Sequence, residues 1–96
     1  MCTILLKNII DSKPQLQDAG DDFYVRINDC LDMNENVVVD MSDVTSLPSI
    51  FLNVSIGRVI DDRGVDVLKR SISFVKITKQ QAERLKEYLN RYNSVN

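Results

Sequence analysis

Residues 36–59 read NVVVDMSDVTSLPSIFLNVSIGRV and contain a strand, a polar loop and a helix. The three valines before Asp40 form a short all-apolar run, which is typical of a parallel strand covered on both faces. Pro48 prevents a helix from extending back through Leu47. Apolar residues at i, i+4, i+7 and i+8 then predict a single helix over Ser49–Ile60, with a buried face of Leu52, Ile56, Val59 and Ile60. The hydroxyl-rich loop therefore lies at the carboxyl end of a strand, where open α/β sheets place their functional surfaces.

The segments on either side alternate between strands and helices. A strand is predicted over Thr3–Ile10, then a polar loop over residues 11–20, then a helix with Phe23, Ile27, Cys30 and Leu31 on its buried face. A third strand contains Ile72, Phe74 and Ile77. The resulting β-α-β-α-β-α order predicts a small α/β domain with a mixed or partly parallel sheet and right-handed crossovers.

Two local signals mark helix ends in the second half of the chain. Gly64 follows the second helix and is free to adopt a left-handed cap. Thr78 and Gln81 match a capping box, in which the two side chains bond each other's backbone amides. The final helix that begins there is predicted to bury the stripe Ala82, Leu85, Leu89 and Tyr92.

Length and composition describe one ordinary soluble domain over residues 1–96. Hydrophobic residues make up 44% and charged residues 27%, and no apolar run approaches the ~20 residues that span a bilayer. The first residues lack a signal-peptide pattern. The two cysteines are too few for a disulfide scaffold, so Cys30 is interpreted as a core residue and Cys2 as a strand-end residue. We therefore expect a cytoplasmic protein without a membrane partner.

Charge is distributed unevenly along the chain. Residues 1–62 carry 11 acids and 4 bases, whereas residues 63–96 carry 8 bases and 3 acids. A basic C-terminal third could serve a nucleic-acid accessory protein, which is one alternative function. Acidic residues interrupt these bases, however, and no aromatic-and-basic strip accompanies them, so the sequence favours a protein partner over nucleic acid.

The sequence offers few catalytic groups. It contains no histidine, no phosphate-binding glycine loop and no paired CxxC. We therefore predict no catalytic residue, no metal, no cofactor and no enzyme activity. Asp40 and Asp43 support one alternative, a Mg²⁺-dependent phosphoryl acceptor or phosphohydrolase, which would need further carboxylates at the same ion. The other interpretation is that both aspartates bond loop amides in Asx turns.

The second helix predicts an interaction surface. If its apolar stripe faces the sheet, its other side carries Ile50, Val54, Gly57 and Arg58. Contiguous exposed apolar surface often marks a partner site. Ile50 and Val54 could alternatively pack under the loop of residues 11–20, and the sequence leaves both interpretations open.

The segment VTSLPSIFLN, residues 44–53, with Ile56-Gly57-Arg58-Val59, resembles the STAS-like domains grouped as DUF4325. STAS domains resemble anti-sigma-factor antagonists, which dock on ATP-binding serine kinases and are switched by phosphorylation of a serine at the start of this helix. The resemblance implies a regulatory, non-enzymatic module of STAS-like fold with a kinase partner of this type. The family's serine falls on Ile50 here, which leaves Ser49 and Ser46 as candidate phosphorylation sites. Ser49 can instead serve as the helix cap.

These arguments predict one partner-binding surface on the loop and the second helix. Its residues are Asp43, Thr45, Ser46, Ser49, Ile50, Val54, Gly57 and Arg58. The sequence leaves the oligomeric state open.

Overall fold

The computed structural model describes residues 1–95, and side chains over residues 1–91. Its strands are β1 (Cys2–Leu5), β2 (Val37–Asp40) and β3 (Ile72–Val75). Its helices are α1 (Leu6–Ser12), α2 (Leu16–Asp32), α3 (Ser49–Val54), α4 (Ile56–Arg63), α5 (Val65–Ser71) and α6 (Lys79–Val95). None of the helices in this described part combines the length and the apolar character needed to cross a membrane.

The three strands form one parallel sheet in the order β1-β2-β3. Val37 of β2 pairs with Cys2 of β1 on one side and with Ile72 of β3 on the other. This confirms the predicted α/β class, and within the described residues the sheet is wholly parallel. Each crossover contains two or three helices, so the single helices of the predicted order are wrong.

Helices cover only one face of this sheet. Both connections move along the sheet in the same direction, and right-handed crossovers then place their helices on the same side. The face of Ile4, Val37 and Val39 is buried, whereas Leu5 and Val75 on the opposite face are 50% and 38% exposed. The prediction that β2 is covered on both faces is therefore wrong. Helices would lie on both faces of the sheet only if one connection moved along it in the opposite direction.

The first strand is shorter than predicted and the helix after it starts earlier. The chain turns from β1 into α1 at Leu6, whose side chain is buried together with that of Ile9. The apolar run over Thr3–Ile10 is therefore half strand and half helix. The predicted loop over residues 11–20 shrinks to the short connection between Ser12 and Leu16, since α1 includes its first two residues and α2 its last five.

The predicted helix over Ser49–Ile60 is broken at Ser55. The Ser55 hydroxyl donates to the Phe51 carbonyl at 2.7 Å, and the Ser55 amide donates instead to Leu52 at 3.3 Å. A serine that bonds back to the carbonyl four residues earlier competes with the helical ladder and bends it. The buried stripe of Leu52, Ile56, Val59 and Ile60 is nevertheless confirmed on both segments.

Gly64 and the Thr78–Gln81 capping box were both predicted to mark helix ends. Gly64 ends α4 with φ +91°, which confirms the predicted positive φ, but its ψ of 156° is more extended than that of a left-handed helical cap. The capping box is confirmed, because Thr78 and Gln81 each donate a backbone amide to the other's side chain at 3.1 Å. Helix α5 was not predicted, and Ile77 lies beyond β3.

The two cysteines form a disulfide, which was not predicted from the sequence, although Cys30 is buried in the core and Cys2 is the first residue of β1 as predicted. Cys2 on β1 and Cys30 in the last turn of α2 are bonded, with their Cα atoms 6.2 Å apart. The disulfide therefore joins the start of β1 to the end of α2, shortly before β2 begins. The argument from cysteine usage to a reducing compartment therefore loses its premise.

Candidate functional site

The loop between β2 and α3 is held in place by its own apolar residues. Met41, Val44 and Leu47 are buried in the core, at roughly every third position of the loop. Of the four residues between them, Asp43 and the 45–46 pair are exposed and Ser42 is half-buried. The loop therefore has a fixed path although it contains no regular secondary structure.

Helix α6 braces this loop from the far end of the chain. The buried Gln81 amide side chain donates to the Val44 carbonyl. Arg84 donates to the Leu47 carbonyl at 3.3 Å and to the Ser49 hydroxyl at 2.7 Å. Sequence reasoning found Gln81 only as a capping residue and did not find the role of Arg84, since side-chain bonds between distant segments leave no periodic signal.

The same helix also fixes α3 directly. The Tyr88 hydroxyl donates to the Asn53 side-chain carbonyl at 2.8 Å. A six-residue helix is too short to persist without tertiary contacts, so this bond and the bonds of Arg84 contribute to its position. An open cleft of about 340 Å³ lies between the loop and the start of α6, and both Ser46 and Arg84 line it.

Five of the predicted partner-binding residues are exposed and lie within eight consecutive positions of the loop and the first turn of α3. We call this the loop–α3 surface, and its members are Asp43, Thr45, Ser46, Ser49 and Ile50. Ile50 is 51% exposed, although it sits in the first turn of a helix whose neighbouring positions Phe51 and Leu52 are buried. An exposed apolar side chain thus follows a stretch with three exposed hydroxyl residues.

The other predicted members, Val54 and Gly57, do not belong to this surface. Val54 is half-buried against α2, where a Cβ added to Gly20 would lie 2.2 Å from a Val54 methyl carbon. Gly57 is buried. The side of the helix that was predicted to be open is therefore covered at Val54 and Gly57 and exposed at Ile50 and Arg58. The alternative interpretation of packing under residues 11–20 holds for Val54 but not for Ile50.

Arg58, the remaining member, is used within the fold. Its guanidinium lies 3.8 Å from the centroid of the Tyr24 ring and 3.0 Å from an Asp21 carboxylate oxygen. The Tyr24 hydroxyl donates to Asp62. These contacts tie α4 to α2, and an arginine over an aromatic ring adds a cation–π attraction to the ion pair. Arg58 is exposed but its charge is already matched.

Ser49 is the first residue of α3 and does not cap it. Pro48 occupies the cap position with an extended backbone, and no side-chain cap bond is made. The Ser49 hydroxyl instead accepts the bond from Arg84. The interpretation of Ser49 as a helix cap is therefore wrong.

Asp40 occupies the carboxyl end of β2 and forms the predicted Asx turn. Its carboxylate accepts the Ser42 amide at 2.9 Å, and the Lys76 ammonium lies 3.8 Å from its other oxygen. Hydrogen bonds from Ser42, followed by the charge of Lys76, hold the pKa of Asp40 below its ordinary value of 3.8. The group is therefore an ionised carboxylate at neutral pH.

Asp43 is the second carboxylate on which the Mg²⁺-dependent alternative rests. Asp43 is exposed with φ 63°, a conformation that aspartate tolerates better than most residues. Within the described residues, no three side chains of the metal-binding types converge on one point. The Mg²⁺-dependent alternative and the nucleic-acid alternative both stay predictions that no observation here favours.

The comparison with known proteins agrees with the resemblance in the sequence. A family model described as a STAS-like domain of unknown function, DUF4325, matches residues 19–82. No curated protein and no solved structure matches the chain. The matched region runs from α2 to the start of α6 and includes the whole loop–α3 surface. This protein therefore belongs to the DUF4325 family of STAS-like domains.

Proposed function

We propose that the protein is a non-enzymatic regulatory module that binds an ATP-binding serine kinase of the anti-sigma type through the loop–α3 surface. The observation that carries this proposal is the 51% exposure of Ile50 beside a hydroxyl-rich loop that α6 holds in a fixed shape. A preformed surface loses little conformational entropy on binding.

The composition of the surface suits a small protein–protein contact. Binding energy in such contacts concentrates in a few side chains that become fully desolvated, with a polar rim around them. Ile50 supplies the apolar centre, and Thr45, Ser46 and Ser49 supply a rim that hydrogen-bonds without a strong charge. Asp43 adds one carboxylate at the edge of the surface.

The substitution Ile50→Glu is expected to weaken binding to the kinase at least tenfold, about 1.4 kcal/mol. A carboxylate at this position would be buried without a partner when the complex forms. Thermal stability should hardly change, because half of the Ile50 side chain already faces solvent. The measurement is a pull-down from native-host lysate with identification by mass spectrometry, followed by titration of the purified kinase.

Val25→Glu is the matched control for this experiment. Val25 is also a β-branched residue with 51% exposure, but it lies on α2 away from the loop–α3 surface. Wild type and Val25→Glu should recover the same ATP-binding kinase, and Ile50→Glu should not. Recovery of the kinase by all three baits would contradict binding through the loop–α3 surface. Recovery of the kinase by none of them would contradict the choice of a kinase as the partner.

We propose that phosphorylation regulates this contact, with Ser49 as the first candidate and Ser46 as the second. Both serines are exposed, and the Arg84 guanidinium already bonds the Ser49 hydroxyl. A phosphoserine adds about −1.5 to −2 charges, and Arg84 would form charge-assisted bonds to its oxygens. The added charge would lie next to Ile50 and would oppose docking on an apolar or acidic kinase surface.

Intact-mass measurement of the protein from native-host cells, in growth and in stress, checks this regulation. We expect one phosphoryl group in one of the two conditions, lost in Ser49→Ala and retained in Thr45→Ala. Unmodified protein in both conditions would contradict a phosphorylation switch. A phosphoryl group that disappears only in Ser46→Ala would assign the switch to the second serine.

A further inference from the structure

A second surface lies on the opposite side of α6 from the loop that this helix braces. The residues Gln81, Arg84 and Tyr88 face the loop and α3, whereas Leu85 and Leu89 border an open groove of about 480 Å³. The other wall of the groove is formed by Phe74 and Ile77 at the end of β3. The predicted stripe on α6 is therefore only partly covered, since Ala82 is exposed and Leu89 is half-buried; the Tyr92 side chain lies outside the described residues.

The described charges that line this groove have a single sign. Among residues whose side chains the structure describes, Lys69 and Lys86 line it, both exposed, and no carboxylate does. The groove also lies in the basic part of the chain, residues 63–96, which carries 8 bases and 3 acids. An apolar floor with a basic rim complements an occupant that has aliphatic side chains and carboxylates.

The backbone of β3 favours an extended occupant. Successive residues of a strand direct their amide and carbonyl groups to opposite sides. The Val75 carbonyl accepts the Met41 amide at 3.0 Å. The backbone amide and carbonyl of Val75 therefore point toward β2, and those of Phe74 point away from β2. Because β3 is an outer strand among the described residues, the amide and carbonyl of Phe74 face the open edge of the sheet beside the groove.

We propose that this groove binds an extended peptide segment of a partner protein by adding a strand to the β3 edge, with aliphatic and acidic side chains at every second position of the peptide so that both kinds face the groove. The peptide backbone pairs with Phe74, its aliphatic side chains contact Phe74, Ile77 and Leu89, and its carboxylates pair with Lys69 and Lys86. Strand addition of this kind obtains affinity from main-chain bonds and specificity from the side-chain contacts. The site is separate from the loop–α3 surface and does not depend on the kinase proposal.

The test uses the full chain and a synthetic, fluorescently labelled heptapeptide, Glu-Thr-Leu-Thr-Leu-Thr-Glu, whose leucines and glutamates lie on the same face of a strand. Binding is followed by fluorescence anisotropy, and the contact is located by amide NMR spectra and hydrogen exchange. We expect saturable binding, slower exchange of the Phe74 amide, and an affinity about tenfold lower in Lys69→Glu and in Lys86→Glu. Lys13→Glu makes the same charge change at an exposed lysine in the α1–α2 connection and should leave the affinity within about twofold.

Four results of the binding measurements would overturn the proposal. They are no binding of the heptapeptide, equal weakening in Lys13→Glu, spectral changes confined to the loop–α3 surface, and binding of decanoate at the Phe74 site without binding of the peptide. The last result would assign the groove to small amphiphilic anions. Sedimentation of the chain without peptide is the remaining check. A dimer that dissociates in Lys69→Glu or Lys86→Glu would also overturn the proposal, because a second copy of the chain would then be the occupant of the groove.

Discussion

Reduction of the Cys2–Cys30 disulfide is expected to lower the free energy of unfolding by about 3.5 kcal/mol, the value for a cross-link that closes a loop of this length. The bond spans a sequence separation of 28 residues, and breaking it restores conformational freedom to that part of the unfolded chain. For a domain of this size the melting temperature should fall by roughly 15–25 °C.

Thermal melts of wild type and Cys2→Ser, each with and without reductant, measure this effect. Cys2 is the better residue to replace, since it is half-buried on an outer strand whereas Cys30 is buried in α2. Reductant should lower the melting temperature of wild type to that of Cys2→Ser and leave the variant unchanged. Equal melting temperatures in all four samples, with two titratable thiols in untreated wild type, would contradict the disulfide.

Gly20→Ala is expected to destabilise the protein by about 2 kcal/mol, although alanine favours a helix more than glycine does. The new Cβ would lie 2.2 Å from a Val54 methyl carbon and 3.0 Å from the Phe51 carbonyl oxygen. Overpacking of this severity costs about 3 kcal/mol, and the gain in helix propensity offsets about 1 kcal/mol. Val54 is β-branched and cannot rotate the methyl away freely.

A double-mutant cycle with Val54→Ala separates the two effects in this prediction, the steric contact of the new Cβ with Val54 and the higher helix propensity of alanine. Val54→Ala removes the methyl group that clashes, so the double variant should be more stable than Gly20→Ala alone. Gly64→Ala is the contrasting control, because its cost comes from φ +91° and no atom lies within 4 Å of the added Cβ. Val54→Ala should not rescue it. Simple addition of the Gly20 and Val54 effects would show that α2 and α3 do not meet as described.

Periodic patterns in the sequence predicted the elements of this fold more reliably than their limits. The valine strand, the stripe from Leu52 to Ile60 and the Thr78–Gln81 capping box all depend on residues within about ten positions of one another, and each is confirmed. The boundary at Leu6 was missed because the same apolar run satisfies a strand and then a helix. The break at Ser55 was missed because one hydroxyl decides it.

The sequence by itself determined the α/β class, the family, and the place of the polar loop between β2 and α3. Tertiary structure decided which side of the second helix is free, because Gly20 lets α2 approach Val54 and leaves Ile50 exposed. It also decided the disulfide, the bracing of the loop by Arg84, and the groove beside β3. The physical reason is separation along the chain. Periodicity reports on residues that are close in sequence, whereas most of these features join residues about 30 or more positions apart. The others depend on which faces of the fold remain uncovered.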